Sequence, residues 1–205
     1  MDINQCLRER RSVRKYLDKD VSAEKINELL DAARYAPNSG NIQNWSFIIV
    51  RDKKIKRELA DVALKQYFMV EAPVLIVVCN KIEKIRKFYG IRGELMFSIQ
   101  NCAAATENIL LKAHSMGLST CWIGAFDDDA VARILEMPED VKAEAMISVG
   151  YSDEKSEMPI REHLERLVYF EKWGKKEKES IFPLNKNKEK VKESINKIKN
   201  KVLKK

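Results

Sequence analysis

The sequence predicts an α+β fold built around one central sheet, and three observations carry that expectation. Residues 73–79, Pro-Val-Leu-Ile-Val-Val-Cys, form a continuously apolar, β-branched run, the pattern of a strand buried on both faces. Residues 94–116 read as a long helix with Leu95, Phe97, Ile99, Ala103, Ala104, Ile109, Leu110 and Leu111 spread around its circumference. A helix apolar on every side belongs in the middle of an assembly. Strands and helices alternate along the chain, but their lengths and order do not make regular βαβ units.

Taken in order, residues 2–9 read as a short helix. Ser22 is placed as an N-cap, followed by Ile26, Leu29, Leu30 and Ala33 on one face of a helix that halts before Pro37. A polar loop, Asn38-Ser39-Gly40-Asn41, then leads to an apolar strand at residues 45–50. Lys53 to about Met69 is helical by pattern. After the buried strand and the long helix, Gly117 supplies a stop. A strand at 119–123 runs into Gly124, a short helix starts at Asp127, and residues 145–150 form the last core strand.

Length and composition set the broad class. With 205 residues and 45% hydrophobic content, the chain can bury a core as one domain. No segment approaches the roughly 18 to 20 uninterrupted apolar residues of a membrane helix. Residues 1–6 lack the basic-then-apolar pattern of a secretory signal. A cytoplasmic protein with no membrane partner is expected. The four cysteines, Cys6, Cys79, Cys102 and Cys121, include no Cys-x-x-Cys pair, so they read as reduced core thiols rather than a metal or dithiol centre.

The net charge of +7 is unevenly held. From Lys172 onward there are 13 Lys and 4 Glu, which leaves 25 basic and 27 acidic residues in 1–171. Val191, Ile195, Ile198, Val202 and Leu203 fall at helical spacing within that lysine-rich stretch. The expected organisation is a domain over 1–173 and an amphipathic helical tail over 174–205. A solvated, solubilising tail is favoured over nucleic-acid binding.

The chain has no G-x-G-x-x-G after a strand and no G-x-x-x-x-G-K-[ST], and its two histidines, His114 and His163, have no neighbouring ligand pattern. Rossmann, P-loop, zincin and histidine-triad chemistry therefore lack support, and a bound cofactor becomes the expected carrier of the reaction. Four segments could hold one. Residues 10–16, Arg-Arg-Ser-Val-Arg-Lys-Tyr, group guanidinium forks with a hydroxyl, a set suited to phosphate, although a solvated charge run has the same composition. Residues 36–45, Ala-Pro-Asn-Ser-Gly-Asn-Ile-Gln-Asn-Trp, gather amides in a loop that could meet the edge of a heteroaromatic ring or simply stop a helix. In residues 117–126 a glycine after an apolar strand lets backbone approach a flat ligand, or marks an ordinary turn. The fourth is Arg161 within residues 158–164.

In this order and spacing the four segments resemble the nitroreductase family. The family's Arg-Arg/His-Ser-x-Arg/Lys stretch corresponds to residues 10–14, and its Ala-Pro-Ser-Ser-x-Asn-x-Gln-Pro-Trp loop to residues 36–45. Its Gly-Leu-Gly-Thr-Cys-Trp-Ile-Gly-Gly-Phe segment corresponds to residues 117–126, and its Val-Gly-Tyr to residues 149–151 with Arg161 beyond. The resemblance covers roughly residues 1–173. It implies a mostly antiparallel central sheet flanked by helices, with the long helix at the interface of a homodimer. FMN is the implied cofactor, NADH or NADPH the reductant, and small nitroaromatics or quinones the acceptors.

It also implies roles for individual residues. Arg10, Ser12 and Arg161 would hold the FMN phosphate, with Arg11 alongside the phosphate and ribityl chain. Arg14 would lie near the N1–C2 edge, where a cation favours the anionic reduced flavin. Pro37, Asn38, Ser39, Asn41 and Gln43 would reach the ring from the partner subunit. The Trp122, Ile123, Gly124 and Ala125 backbone would lie against the ring, the Gly124 N–H directed at N5. No side chain is implied as acid or base. Three positions depart from the family pattern: Pro159 stands where a phosphate-directed cation is usual, Asn38 replaces a serine, and Asn44 replaces a proline. Two other outcomes stay open: a relative acting in reductive dehalogenation or flavin destruction, and a flavin- or nucleic-acid-binding protein that acts through its tail.

Overall fold

The computed structural model describes residues 1–154 and 156–176. They divide into a unit of Met1–Met158 and a second unit that begins at Pro159.

The first unit is built on a sheet of four strands: β1 (Trp45–Val50), β2 (Val74–Lys81), β3 (Ser119–Ile123) and β4 (Val141–Gly150). Their spatial order is β1-β2-β4-β3, and each neighbouring pair is antiparallel. β2 is central, and Val74 through Asn80 are all buried, as an uninterrupted apolar run requires. Its alternating side chains feed two cores. Val74, Ile76 and Val78 pack with Ile26, Leu29 and Ala33 of α2 (Ala23–Arg34) and with Cys102, Ala105 and Ile109 of α6 (Ser98–Ser115). Leu75, Val77 and Cys79 pack on the other side, with Leu59 of α3 (Lys53–Val62), Met69 of α4 (Phe68–Glu71) and Val131 of α7 (Asp128–Ile134). The result is three layers with helices on both faces of the sheet. The N-terminal helix α1 (Ile3–Glu9) contacts α6.

The helix starts follow capping chemistry. The Ser22 hydroxyl accepts the Lys25 N–H, Asp52 accepts those of Lys54 and Ile55, and Asp127 accepts that of Ala130. No helix among the described residues is long and apolar enough to cross a membrane.

Three local expectations change. The helix read from Lys53 to Met69 is two helices, α3 and α4, parted where Leu64 and Lys65 adopt φ of 53° and 58°. Two consecutive left-handed residues end any right-handed helix. The long helix from 94 to 116 begins as a wider π turn over Gly93–Phe97 and becomes α-helical at Ser98. Its apolar residues do not surround it evenly. Cys102, Ala105, Ile109 and Leu110 face the core, while Leu95 and Ile99 are exposed. A further helix, α5 (Ile82–Arg92), was not legible in the sequence, and Gly90 interrupts it with φ 56° and ψ −146°.

The second unit contains a one-turn helix, α8 (Leu164–Leu167), and a tilted ring pair, Tyr169 and Trp173, with centroids 4.6 Å apart. The tail helix expected around Val191–Leu203 lies outside the described residues.

Candidate cofactor site

The basic segment extends the sheet beyond β3. Ser12 forms a parallel bridge with Thr120, and the Val13 N–H donates to the Thr120 carbonyl at 2.9 Å. Val13 is buried, so the alternation of extended chain leaves Ser12 and Arg14 facing outward. Tyr16 braces this segment. Its hydroxyl bonds the Val13 carbonyl at 2.8 Å and Ser148 Oγ at 2.7 Å, and burial holds the phenol well above its usual range.

The three arginines are held differently. Arg10 is three-quarters buried, with Glu107 of α6 at 3.8 Å from its Nε. Arg11 donates from Nη1 to the carbonyls of Arg8 and Arg10 at 2.6 and 2.7 Å, and from Nε to that of Glu157 at 3.3 Å. It thereby closes the C-terminus of α1. The Arg14 guanidinium lies 5.7 Å from the centre of the Phe68 ring, and its backbone N–H reaches Glu154 at 3.3 Å.

A cleft of about 340 Å³ opens beside this segment, lined by Arg10, Arg11, His114, Ser119, Thr120 and Glu154, among others. His114 Nε2 is buried there without a hydrogen-bond partner. Burial, Arg10 and Arg11 push its pKa down, and Glu9 opposes them.

At the far end of β3, Ile123 is buried, whereas Trp122, Gly124 and Ala125 are exposed. Gln66, absent from the sequence reading, donates to the Ala63 carbonyl at 2.9 Å and to the Ala125 carbonyl at 3.3 Å. It ties the α3–α4 link to the strand end. Its only sequence signal was a polar side chain inside an apparently continuous helix. The structure therefore brings 10–14, 64–68 and 122–125 to one edge of the sheet.

The loop containing Pro37, Asn38, Ser39, Asn41 and Gln43 lies at the other edge, because it leads into β1. Three strand spacings separate β1 from β3, roughly 14 Å. The loop is tightly bent: Gly40, Asn41 and Gln43 have φ of 58°, 55° and 50°. Such residues persist only where the surroundings over-determine them. Asn38 Oδ1 accepts the Gln43 N–H at 3.0 Å, and Asn101 of α6 accepts the Ser39 N–H at 3.0 Å. Arg161 belongs to the second unit, where it is exposed.

The donor set suits FMN. Guanidinium and hydroxyl groups beside a cleft with an unpaired buried imidazole nitrogen match a phosphate. Exposed strand-end backbone at 124–125 suits the face of a flat ring. Among the described residues no cluster of His, Cys, Asp and Glu could hold a metal ion.

The profile of the nitroreductase family matches residues 7–67 and 61–151. A provisionally named NADH dehydrogenase/NAD(P)H nitroreductase of Methanothermobacter thermautotrophicus is 34% identical over 177 residues, covering 81% of this chain and 88% of that protein. An FMN reductase (NADPH) of Bacillus subtilis is 30% identical over 154 residues, covering 69% of this chain and 62% of that protein. The solved structure of an FMN-dependent nitroreductase from Clostridium difficile superposes with a TM-score of 0.72 at 31% identity, covering 83% of this chain and 99% of that one. On the profile match, the shared sequence and the shared fold, the chain belongs to the nitroreductase family.

Proposed function

We propose that this chain acts as a homodimer with two shared FMN sites, where NADH or NADPH and a small nitroaromatic or quinone acceptor bind in turn. Family membership makes it an NAD(P)H-dependent oxidoreductase with FMN as cofactor. When bound, FMN supplies the hydride-accepting and hydride-donating centre. The observation that carries the proposal is the bridge that seats Ser12, flanked by Arg10 and Arg14, on the outer edge of β3, whose far end exposes Trp122, Gly124 and Ala125.

The residues divide the work. Arg10 and Ser12 hold the phosphate. Arg11, engaged with three backbone carbonyls, keeps α1 and the basic segment in place beside it. Arg14, with Phe68 beside its guanidinium, presents a fixed positive charge to the pyrimidine edge of the ring. The Gly124–Ala125 backbone, following Ile123, offers N–H groups to the ring, Trp122 stands at its border, and Gln66 fixes the strand end from behind. Solvent supplies and removes the protons.

The loop residues Pro37, Asn38, Ser39, Asn41 and Gln43 serve the partner subunit's site. Their position at the opposite sheet edge supports this, and so does an exposed apolar face on α5, the π turn and α6. Phe88, Ile91 and Leu95 there are 67%, 71% and 66% exposed, and such a face favours burial against a second subunit. Four buried, unpaired cysteines support a reducing cytoplasmic setting.

The test is anaerobic spectroscopy of purified full chain combined with light scattering. The protein should be yellow, bleach with NADH or NADPH, recover colour with a nitroaromatic or quinone, and scatter as a dimer. A flavin-loaded monomer overturns the shared site, and colour that does not respond to either nicotinamide overturns the activity.

A further inference from the structure

We propose that Glu144 is a positioning residue for the flavin-facing loop: seated on a β-bulge, it orients a buried line of asparagines, Asn80, Asn44 and Asn101, that fixes Ser39. The proposal rests on the reading that this loop meets flavin.

Asn44, Asn80 and Asn101 are 0%, 1% and 3% exposed, at the margin of the apolar core between the sheet and α6. Three primary amides in such a place are costly unless every one is bonded. Here they are bonded to one another, in one direction. Asn80 Nδ2 donates to Glu144 Oε1 at 2.6 Å. Asn44 Nδ2 donates to Asn80 Oδ1 at 2.8 Å and also to the Ser98 carbonyl at 3.3 Å. Asn101 Nδ2 donates to Asn44 Oδ1 at 2.8 Å. At the far end Asn101 Oδ1 accepts the Ser39 N–H at 3.0 Å and the Ser39 hydroxyl at 3.4 Å.

The direction suits both ends of the line. An ionised carboxylate only accepts, so Asn80 must show it the NH2 group and turn its oxygen toward Asn44. The same choice passes to Asn44 and then to Asn101. Reversed, the line would aim the NH2 of Asn101 at the N–H of Ser39, donor against donor. The Glu144 carboxylate at one end, the Ser98 carbonyl beside Asn44 and the Ser39 N–H at the other end thus all enforce the same direction, and a chain of this kind is mutually polarising.

The bulge is what puts Glu144 in reach. Val78 of β2 pairs with Ala145 and Cys79 with Ala143, so Glu144 is the extra residue of β4. Ala143 packs in one core and Ala145 in the other, although two residues apart in a regular strand would share a face. The inserted residue breaks that alternation and re-aims its side chain. Burial pushes the Glu144 carboxyl up, with Asp128 adding to this and Asn80 and Lys142 opposing it. The loop needs such support because Gly40, Asn41 and Gln43 are left-handed within four positions. Tyr89 stands against Gly40, Lys84 bonds the Gln43 carbonyl at 3.0 Å, and the asparagine line holds the N–H and hydroxyl of Ser39.

The experiment titrates flavin-free full-length protein with both FMN and riboflavin, and records the visible circular dichroism of bound FMN. Asn101→Ala and Glu144→Leu should weaken both ligands alike by about tenfold, since the loop meets the ring they share. Both should alter the flavin dichroism. Glu144→Gln, whose amide oxygen still accepts from Asn80, should restore affinity and spectrum. If Glu144→Leu does not fold, Asn101→Ala and Glu144→Gln decide. Asn41→Ala, outside the line, reports on the loop itself. Weakening by Asn41→Ala with wild-type binding in Asn101→Ala and Glu144→Leu overturns the relay, as does a Glu144→Gln as weak as Glu144→Leu. Wild-type binding in Asn41→Ala overturns the flavin-facing reading of the loop, and the positioning role with it.

Discussion

At the β3 edge, the basic segment is held by backbone: a bridge from Ser12 to Thr120, a hydrogen bond from Val13, and carbonyls gripping Arg11, with Ser12 and Arg14 left exposed. At the β1 edge, the amide loop is held by side chains: Asn38, Asn101 and Asn44, the last two buried, with three left-handed residues between the anchors. The contrast separates two ways of building a binding surface. Charges meant for an anion can stay half-solvated, because guanidinium remains ionised and ready at little cost. Amides meant for the edge of a ring must be held at fixed angles, and the holding groups sit where an error in pairing destabilises the fold.

Breaking the buried anchor should give the largest effect. Asn44→Leu leaves Asn80 Oδ1, Asn101 Nδ2 and the Ser98 carbonyl without their bonds. A loss of about 2 to 4 kcal/mol in folding stability is expected, read as a lower urea midpoint. An unchanged midpoint would place the two edges on the same footing.

Arg10→Ala should do the reverse, sparing the fold and weakening FMN by about 1.5 to 3 kcal/mol, the value of a charge-assisted hydrogen bond. Riboflavin, which lacks the phosphate, should bind both forms equally. An equal loss for both ligands would move Arg10 from the phosphate to the ring.

Arg14→Gln sharpens the comparison within the β3 edge. Removing the cation should make the midpoint potential of bound FMN more negative, on the order of 20 to 40 mV for a partly screened charge. A potential that holds or rises removes Arg14 from the ring's edge.

The smallest effect concerns His114. Its pKa is lowered in the fold by burial and by Arg10 and Arg11, so the unfolded chain takes up a proton first as pH falls. Stability should therefore be fully present above the ordinary imidazole value and decline as pH drops through the folded one. His114→Gln should flatten that acid decline slightly, because the ring is only partly buried. Thermal melts from pH 8 to 5 measure it, and an unchanged slope shows that another group titrates.

Much of the fold was legible because it is written in local periodicity. β1 and β3 fall at 45–50 and 119–123 as read, and α2 begins after its Ser22 cap. The central strand shows as a β-branched run because nothing solvated touches either face. α5 was hidden, since exposed Phe88, Tyr89 and Ile91 blur the boundary between its apolar and charged faces and Gly90 breaks its period. The division between α3 and α4 was hidden too, because Leu64 and Lys65 carry no sign of the left-handed backbone they adopt.

For the candidate site, the sequence by itself determined which chemistry is available: guanidinium and hydroxyl groups in one segment, amides in another, a glycine after an apolar strand in a third. These are properties of residue type and spacing, and they survive any folding. Tertiary structure alone decided that residues 10–14, 64–68 and 122–125 share one sheet edge while 37–43 lie at the other. It also turned Arg11 onto carbonyls, gave Gln66 a part, and used a bulge to bring Glu144 to Asn80. Strand order, register and the direction of a buried hydrogen bond depend on partners far along the chain, and no local pattern records them.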